Sequence, residues 1–118
     1  MSKHFTEDEM RCKCGCGKVM VHPDLWRLMD YVRDEVGHAL IVNSGYRCAN
    51  HPAEKKKATP GEHTYGTAVD LACNSTERFT ICFAAKAMGC DRIGIGKGFI
   101  HLGLSRLLPQ HVMWDYYE

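Results

Sequence analysis

The strongest constraint on the fold is an amphipathic helix whose two ends are both marked in the sequence. Pro23 suits the first turn of a helix, and Gly37 is placed to end it. Between them, apolar side chains recur at the spacing of one helical stripe, at Leu25, Leu28, Met29, Val32 and Val36. The pattern therefore predicts a helix with a single apolar face over residues 23–36.

A second helix and several short strands are predicted further along the chain. Asn74 and Glu77 resemble a capping box, which opens a helix that runs to about Met88 and is closed by Gly89. We expect its apolar face to include Phe79, Cys82, Phe83 and Ala87. Apolar runs bounded by turn-forming residues predict strands at 39–42, 67–72, 92–95, 99–102 and 112–116. This order of elements, with a long loop over 46–62, predicts an α+β fold.

The size and charge of the chain bound its organisation and its partners. A chain of 118 residues has room for one hydrophobic core, so we predict a single domain over 1–118 with a cysteine-rich segment at 5–20. The 15 basic and 14 acidic side chains nearly balance, which argues against nucleic acid as the main partner. The first residues contain no apolar stretch that suits a signal peptide or a membrane helix. We therefore expect synthesis in the cytoplasm, reduced thiols and no stable membrane association, while the oligomeric state stays open.

Three side chains suggest a metal site. His63 lies in a predicted loop that leads into the strand carrying Asp70, and His101 lies on another predicted strand. Two imidazoles and one carboxylate suit zinc and leave a fourth position open for water. Water on zinc ionises near neutral pH and attacks a carbonyl that the same ion polarises. Spacing alone does not separate this set from a chance combination, because the chain has seven histidines.

Four motifs in order relate the chain to a known family. They are Ser44-Gly45-Tyr46-Arg47, His63-x-x-Gly66-x-Ala68-x-Asp70, Ile93-Gly94-Ile95-Gly96 and Phe99-Ile100-His101. Together they resemble the zinc D-Ala-D-Ala carboxypeptidase family and its short phage endolysin members, in the fold group of lysostaphin-type and hedgehog-type domains. The resemblance implies a central antiparallel sheet with flanking helices. It also implies zinc held by His63, Asp70 and His101, and hydrolysis of peptide bonds in peptidoglycan stem peptides by a carboxypeptidase or an endopeptidase.

The same resemblance makes Arg47 the cation that engages the substrate carbonyl or carboxylate. A guanidinium that follows a Ser-Gly turn near the metal would stabilise an oxyanion as it forms. The alternative for Arg47 is a structural salt bridge.

Three positions depart from the pattern of this family. Relatives often have Ser two residues before the first ligand, Glu or Asp as the general base three residues before the last His, and Asp two residues after that His. This chain has Gly61, Gly98 and Gly103 at those places. A hydrolase of this type needs a group that takes the proton of the water. The sequence offers four such groups without choosing among them, namely Glu62, His51, Asp115 and Glu118.

The cysteines form a separate feature. Cys12, Cys14 and Cys16 occupy every second position, so on an extended chain their side chains point to the same side. With a fourth donor, three thiolates would hold a structural zinc ion. The fourth donor would be Cys48, His4 or His22. Free or partly paired thiols are the alternative, since structural zinc usually takes a Cys-x2-Cys spacing. We expect Cys73, Cys82 and Cys90 to be small core residues.

The setting and two rival functions follow from these features. The resemblance and the lack of a leader suit a phage or prophage lysis enzyme that reaches the wall after holin-type release, or a protein carried in the virion. The first rival is a zinc-containing module that binds cell-wall peptide without cutting it, which Gly98 and Gly103 favour. The second rival is a virion or assembly protein in which zinc only stabilises the fold.

Four aromatic residues would either line a substrate groove or fill the core. They are Trp114, Tyr116, Tyr46 and Tyr65.

Overall fold

The structure is a computed structural model that describes residues 2–57 and 61–117. Its helices are α1 (Glu7–Met10), α2 (Pro23–Val36), α3 (Pro52–Lys55) and α4 (Ser75–Ala87), with a 3-10 helix at Glu62–Tyr65. Its strands are β1 (Val42–Ser44), β2 (Ala68–Ala72), β3 (Arg92–Ile95), β4 (Phe99–Gly103) and β5 (Val112–Asp115). The strands form one sheet in the order β1-β2-β4-β3-β5. The α+β fold predicted from the sequence is confirmed.

The sheet is mixed rather than wholly antiparallel. Strands β1 to β4 pair antiparallel, but β5 pairs parallel with β3. After β4 the chain reverses direction through residues 104–111 and passes beyond β3 to the edge of the sheet. Because β3 already runs opposite to β4, the strand laid beside it at that edge runs parallel to it. The expectation of an antiparallel sheet is therefore wrong for β5.

Helix α2 has the ends and the buried stripe that the sequence predicts. Pro23 occupies the first turn, and the His22 side chain caps it by accepting a hydrogen bond from Asp24 N. Gly37 ends the helix with φ of 89°, a left-handed conformation that glycine adopts without strain. The stripe residues Leu25, Leu28, Met29 and Val32 are all buried.

Helix α4 has the predicted capping box but buries a different face. The Asn74 and Glu77 side chains bond reciprocally to the backbone of the first turn. Phe79 and Phe83, expected in the core, are 67% and 65% exposed and contact each other edge to face. The buried residues are Ile81, Ala84 and Ala85. Because α4 packs against α2, the small alanine side chains let the two helix backbones approach, and the phenylalanines lie outside.

Three segments differ in detail from their predictions. Strand β1 begins at Val42 and includes Ser44, which pairs with Asp70 across a register shift, while Ile41 of the predicted strand is 69% exposed. The predicted loop 46–62 contains α3. The cysteine-rich segment contains α1, which Thr6 caps. Pairing with β2 thus extends β1 beyond residue 42, where the predicted strand ends.

The two faces of the sheet have opposite character. One face is apolar and shares a single core with α2 and α4 through Val69, Leu71, Ile93, Ile100 and Leu102. Cys73 and Cys90 belong to this core and Cys82 packs against it, as the sequence predicts. The other face carries Asp70, His101 and Trp114, because side chains alternate along each strand. Within the described residues, no helix has the length and apolarity needed to cross a bilayer.

Candidate metal centre and substrate cleft

The register of the sheet brings the predicted metal ligands together. Asp70 on β2 lies directly opposite His101 on β4, and the 3-10 helix before β2 places His63 beside them. Asp70 Oδ1 lies 2.9 Å from His101 Nδ1 and 3.4 Å from His63 Nε2. One ligand atom from each residue lies within 4.8 Å of the other two. All three residues are almost fully buried, so the donors converge on one point beneath the surface.

The outer nitrogen of each imidazole is held by a hydrogen bond. His63 Nδ1 donates to the carbonyl of Gly45 at 2.7 Å, and His101 Nε2 lies 2.6 Å from Glu62 Oε2. The remaining nitrogen of each ring faces Asp70. Ligating histidines in metalloproteins are oriented by this kind of outer contact. Two nitrogens and one carboxylate oxygen are a donor set that fits zinc, so the residues present suit the ion that the sequence predicts.

The electrostatics of Asp70 and His101 also suit a cation. Burial raises the pKa of Asp70, but hydrogen bonds to His101 and His63 outweigh it and hold the pKa well below its usual range. Burial lowers the pKa of His101, yet its hydrogen bonds to Asp70 and Glu62 raise it overall. The Asp70 carboxylate therefore stays ionised and places negative charge where a dication would sit.

Glu62, one of the four base candidates that the sequence offers, lines the cleft and contacts the outer nitrogen of His101. It is 3% exposed, and besides His101 it accepts hydrogen bonds from Arg92 Nε at 3.0 Å and from Ser105 N at 3.3 Å. Both carboxylate oxygens are thus occupied, at the ring edge opposite the nitrogen that faces Asp70. Burial raises the pKa of Glu62, but His101 and Arg92 outweigh it and lower the pKa. These contacts place the Glu62 carboxylate where it can hold the imidazole.

The same carboxylate explains the departure at Gly103. A Cβ atom added at Gly103 would overlap both oxygens of Glu62. Residue 103 lies two positions after His101 on the same strand face, where resembling phage members carry Asp. In this chain the carboxylate beside His101 comes instead from Glu62. No sequence signal links these residues, because they lie 39 positions apart.

Arg47 lies between the candidate ligand Asp70 and a second acid, Glu54. Its guanidinium donates to Asp70 Oδ2 at 3.4 Å, to Glu54 Oε2 at 3.1 Å and to Ser44 Oγ at 3.0 Å. The salt-bridge alternative is therefore present. The side chain also lines the cleft and is 17% exposed, so one edge is available to a ligand. Its role toward substrate stays a prediction.

Glu54 and two glycines fix the loop that carries Arg47. Burial raises the pKa of Glu54, but hydrogen bonds from Gly61 N, Lys57 and Arg47 outweigh it and lower the pKa to about 2. A Cβ atom at Gly61 would lie 2.9 Å from Lys57 Nζ, the end of a flexible side chain that can move away. At Gly45 a Cβ atom would lie 2.7 Å from the Met10 backbone, so this close approach requires glycine.

A cleft of about 280 Å³ opens over the three ligands. Its lining includes three cationic side chains, Arg47, Lys57 and Arg92, and three aromatic ones, Phe99, Trp114 and Tyr116. Trp114 contacts the His101 ring at 5.3 Å between centroids, and Arg92 lies 5.1 Å over the indole. Trp114 covers Gly94, where a Cβ atom would lie 2.7 Å from the indole. Of the aromatic residues predicted for a groove, Tyr46 and Tyr65 lie outside this lining.

The other predicted base residues lie away from the ligands. The His51 side chain caps α3 and is absent from the cleft lining. Asp115 is exposed and alternates with Trp114 on β5, so it points to the opposite face. Glu118 lies outside the described residues. A Cβ atom at Gly98 would meet nothing within 4 Å apart from its chain neighbours, so the space beside this residue is open.

A comparison with protein-family models covers most of the chain. A family model described as Peptidase M15 matches residues 3–103, a segment that contains Arg47, His63, Asp70 and His101. No curated protein matches the chain at a significant level.

Proposed function

This chain belongs to the Peptidase M15 family, and from that premise we propose that it hydrolyses a peptide bond of bacterial peptidoglycan with zinc held by His63, Asp70 and His101. The observation that carries the proposal is the convergence of two imidazoles and one carboxylate, each imidazole fixed at its outer nitrogen. Zinc bound there supplies a Lewis acid for the scissile carbonyl and lowers the pKa of a bound water.

The chain's own side chains suit an anionic peptide. Arg47, Lys57 and Arg92 place positive charge around the cleft, where a carboxylate of the stem peptide or a developing oxyanion would be stabilised. Burial raises the pKa of Tyr116, so its hydroxyl stays protonated and would be available to donate a hydrogen bond to a substrate. Trp114 provides an apolar wall beside His101. These features support either a D-Ala-D-Ala carboxypeptidase or an endopeptidase of the L-Ala-D-Glu type.

The biological setting that we propose is phage or prophage lysis. Its support is the resemblance of the four ordered motifs to short phage endolysins. The enzyme would be made in the cytoplasm and would reach the wall after holin-type release, or would be carried in the virion.

The test combines zinc content with muropeptide hydrolysis, on protein purified before and after chelation. We expect turnover to disappear with the metal and to return when zinc is added. The variants His63→Ala, Asp70→Ala and His101→Ala should each lose the metal of the cleft and the activity, whereas His38→Ala, at an exposed histidine, should keep both. Full activity and full zinc content at this site in any of the three variants would refute the ligand assignment.

A second function is favoured by the open space at Gly98. Without a carboxylate there, the domain would bind zinc and stem peptide but cleave slowly or not at all. Gly98→Glu separates the two cases, because the added side chain meets no neighbour within 4 Å of its Cβ and restores a proton acceptor. If the wild type binds muropeptides without cleaving them and Gly98→Glu cleaves them, the chain is a binding module. Measurable turnover by the wild type, equal to that of Gly98→Glu, would exclude this function.

A further inference from the structure

A second group of metal-ligating side chains lies outside the cleft, at Cys12, Cys14, Cys16 and Cys48. Their four sulfur atoms lie within 4.8 Å of one another. Cys14 Sγ lies 3.4 Å from both Cys12 Sγ and Cys48 Sγ. We propose that these four cysteines bind a zinc ion of structural type, which fastens the N-terminal segment to the loop that carries Arg47.

The sulfur spacing fits a tetrahedral thiolate site. With zinc–sulfur bonds of about 2.3 Å, two sulfur atoms of a tetrahedron lie about 3.8 Å apart. The observed separations, from 3.4 Å up to the limit of 4.8 Å, bracket this value. Four protein ligands leave no position for water or substrate, which is the arrangement of structural zinc rather than catalytic zinc.

The backbone around the cysteines is shaped to surround one point. Gly15, between Cys14 and Cys16, has a φ of 94°, and Gly17, directly after Cys16, has a φ of 76°. These left-handed conformations let the chain turn tightly at both places. Backbone N–H groups also point at the sulfurs. Cys48 N donates to Cys12 Sγ at 3.3 Å, and Lys18 N donates to Cys16 Sγ at 3.4 Å. Such donors stabilise the negative charge that thiolates keep when they hold a cation.

The position of the four cysteines indicates what the ion would stabilise and how it would reach the site from solvent. Cys12 and Cys48 are buried, and 36 residues separate them, so one ion would join two distant segments. Cys14 and Cys16 are exposed, which leaves a path from solvent. Cys48 directly follows Arg47, so the ion would help to hold that side chain at the cleft. Binding would replace the thiol protons, which pass to solvent.

The test measures metal directly and does not need turnover. Full-length protein is purified under thiol reductant, and its zinc is counted in four forms: wild type, His63→Ala/His101→Ala, Cys14→Ser/Cys16→Ser, and Cys82→Ser as the control outside the cluster. The substituted cluster positions are exposed, so the core stays intact. We expect two zinc ions in the wild type and the control, and one in each double variant.

The remaining ion in His63→Ala/His101→Ala is then identified by zinc X-ray absorption. We expect four sulfur neighbours at about 2.3 Å. Absence of zinc in this variant, a zinc ion with nitrogen or oxygen neighbours, or a protein mass lower by two hydrogens, which marks a disulfide between these cysteines, would each overturn the proposal. If the cleft bound no zinc, the wild type, the control and Cys14→Ser/Cys16→Ser would each hold one ion fewer. The result for His63→Ala/His101→Ala would be unchanged, so failure of the proposed peptidase function is distinguishable from failure of this proposal.

Discussion

Replacing Glu62 by Gln tests whether the buried carboxylate behind His101 sets the zinc affinity of the cleft. The substitution keeps the shape of the side chain but removes its charge and turns one acceptor into a donor. In the wild type that carboxylate accepts from His101 Nε2, Arg92 Nε and Ser105 N, all donors. The new amide nitrogen must therefore face one of these donors. Loss of an outer partner of a ligating histidine typically lowers metal affinity 10–100-fold, or about 1.4–2.8 kcal/mol.

The affinity is measured by competition with a chromophoric chelator. Using the Cys14→Ser/Cys16→Ser background confines the measurement to the cleft. Glu35→Gln, at an exposed glutamate of α2, makes the same chemical change away from the site and should leave affinity unchanged. Circular dichroism checks that each variant is folded.

A swap between positions 62 and 103 sharpens the same prediction. Gly103→Asp alone should lower stability and zinc affinity, since its Cβ would overlap the Glu62 carboxylate. In Glu62→Ala/Gly103→Asp that space is free, and the aspartate introduced at position 103 supplies a carboxylate on the strand face of His101. We expect the double variant to recover most of the affinity that Glu62→Ala loses. Wild-type affinity in both Glu62→Gln and Glu62→Ala would refute the reasoning.

Three further predictions concern the cleft and its supporting loop. Arg47→Lys should lower kcat/KM for muropeptides by about 10–100-fold with zinc content unchanged, because an ammonium group lacks the planar, paired N–H donors of a guanidinium. A loss of zinc instead would indicate that Arg47 has a purely structural role. Glu54 has its pKa lowered from 4.5 to about 2, so its stabilisation is present above pH 4.5 and is lost as the pH falls toward 2. In urea unfolding, Glu54→Gln should lower the free energy of unfolding by about 1–2 kcal/mol at pH 6, after allowance for solvent screening at the half-exposed Lys57, and by much less at pH 2.5. If the free energies of unfolding of the wild type and the variant differ by the same amount at both pH values, this prediction is wrong. Gly94→Ala should displace the Trp114 indole and raise KM without loss of zinc, and an unchanged KM would show that the indole does not bind substrate.

Local signals in the sequence predicted much of the fold. Helix caps act within a few residues, so Pro23, Gly37 and the box of Asn74 with Glu77 marked their helices correctly. Apolar runs bounded by turn-forming residues identified the segments that carry Asp70 and His101. The orientation of α4 was not local: its buried face depended on how closely α2 could approach, which the sequence of α4 does not encode.

For the candidate site, the sequence determined which chemistry is available and the tertiary structure decided how it is arranged. The ordered motifs were sufficient to select His63, Asp70 and His101, because residue types and short spacings are written in the chain. Contacts between distant positions are set only when strands pair in a particular register. Folding placed Glu62 behind His101 and brought Cys48 to the three N-terminal cysteines. Such pairings leave no periodic trace in the sequence, since each depends on the packing of the whole domain rather than on its neighbours along the chain.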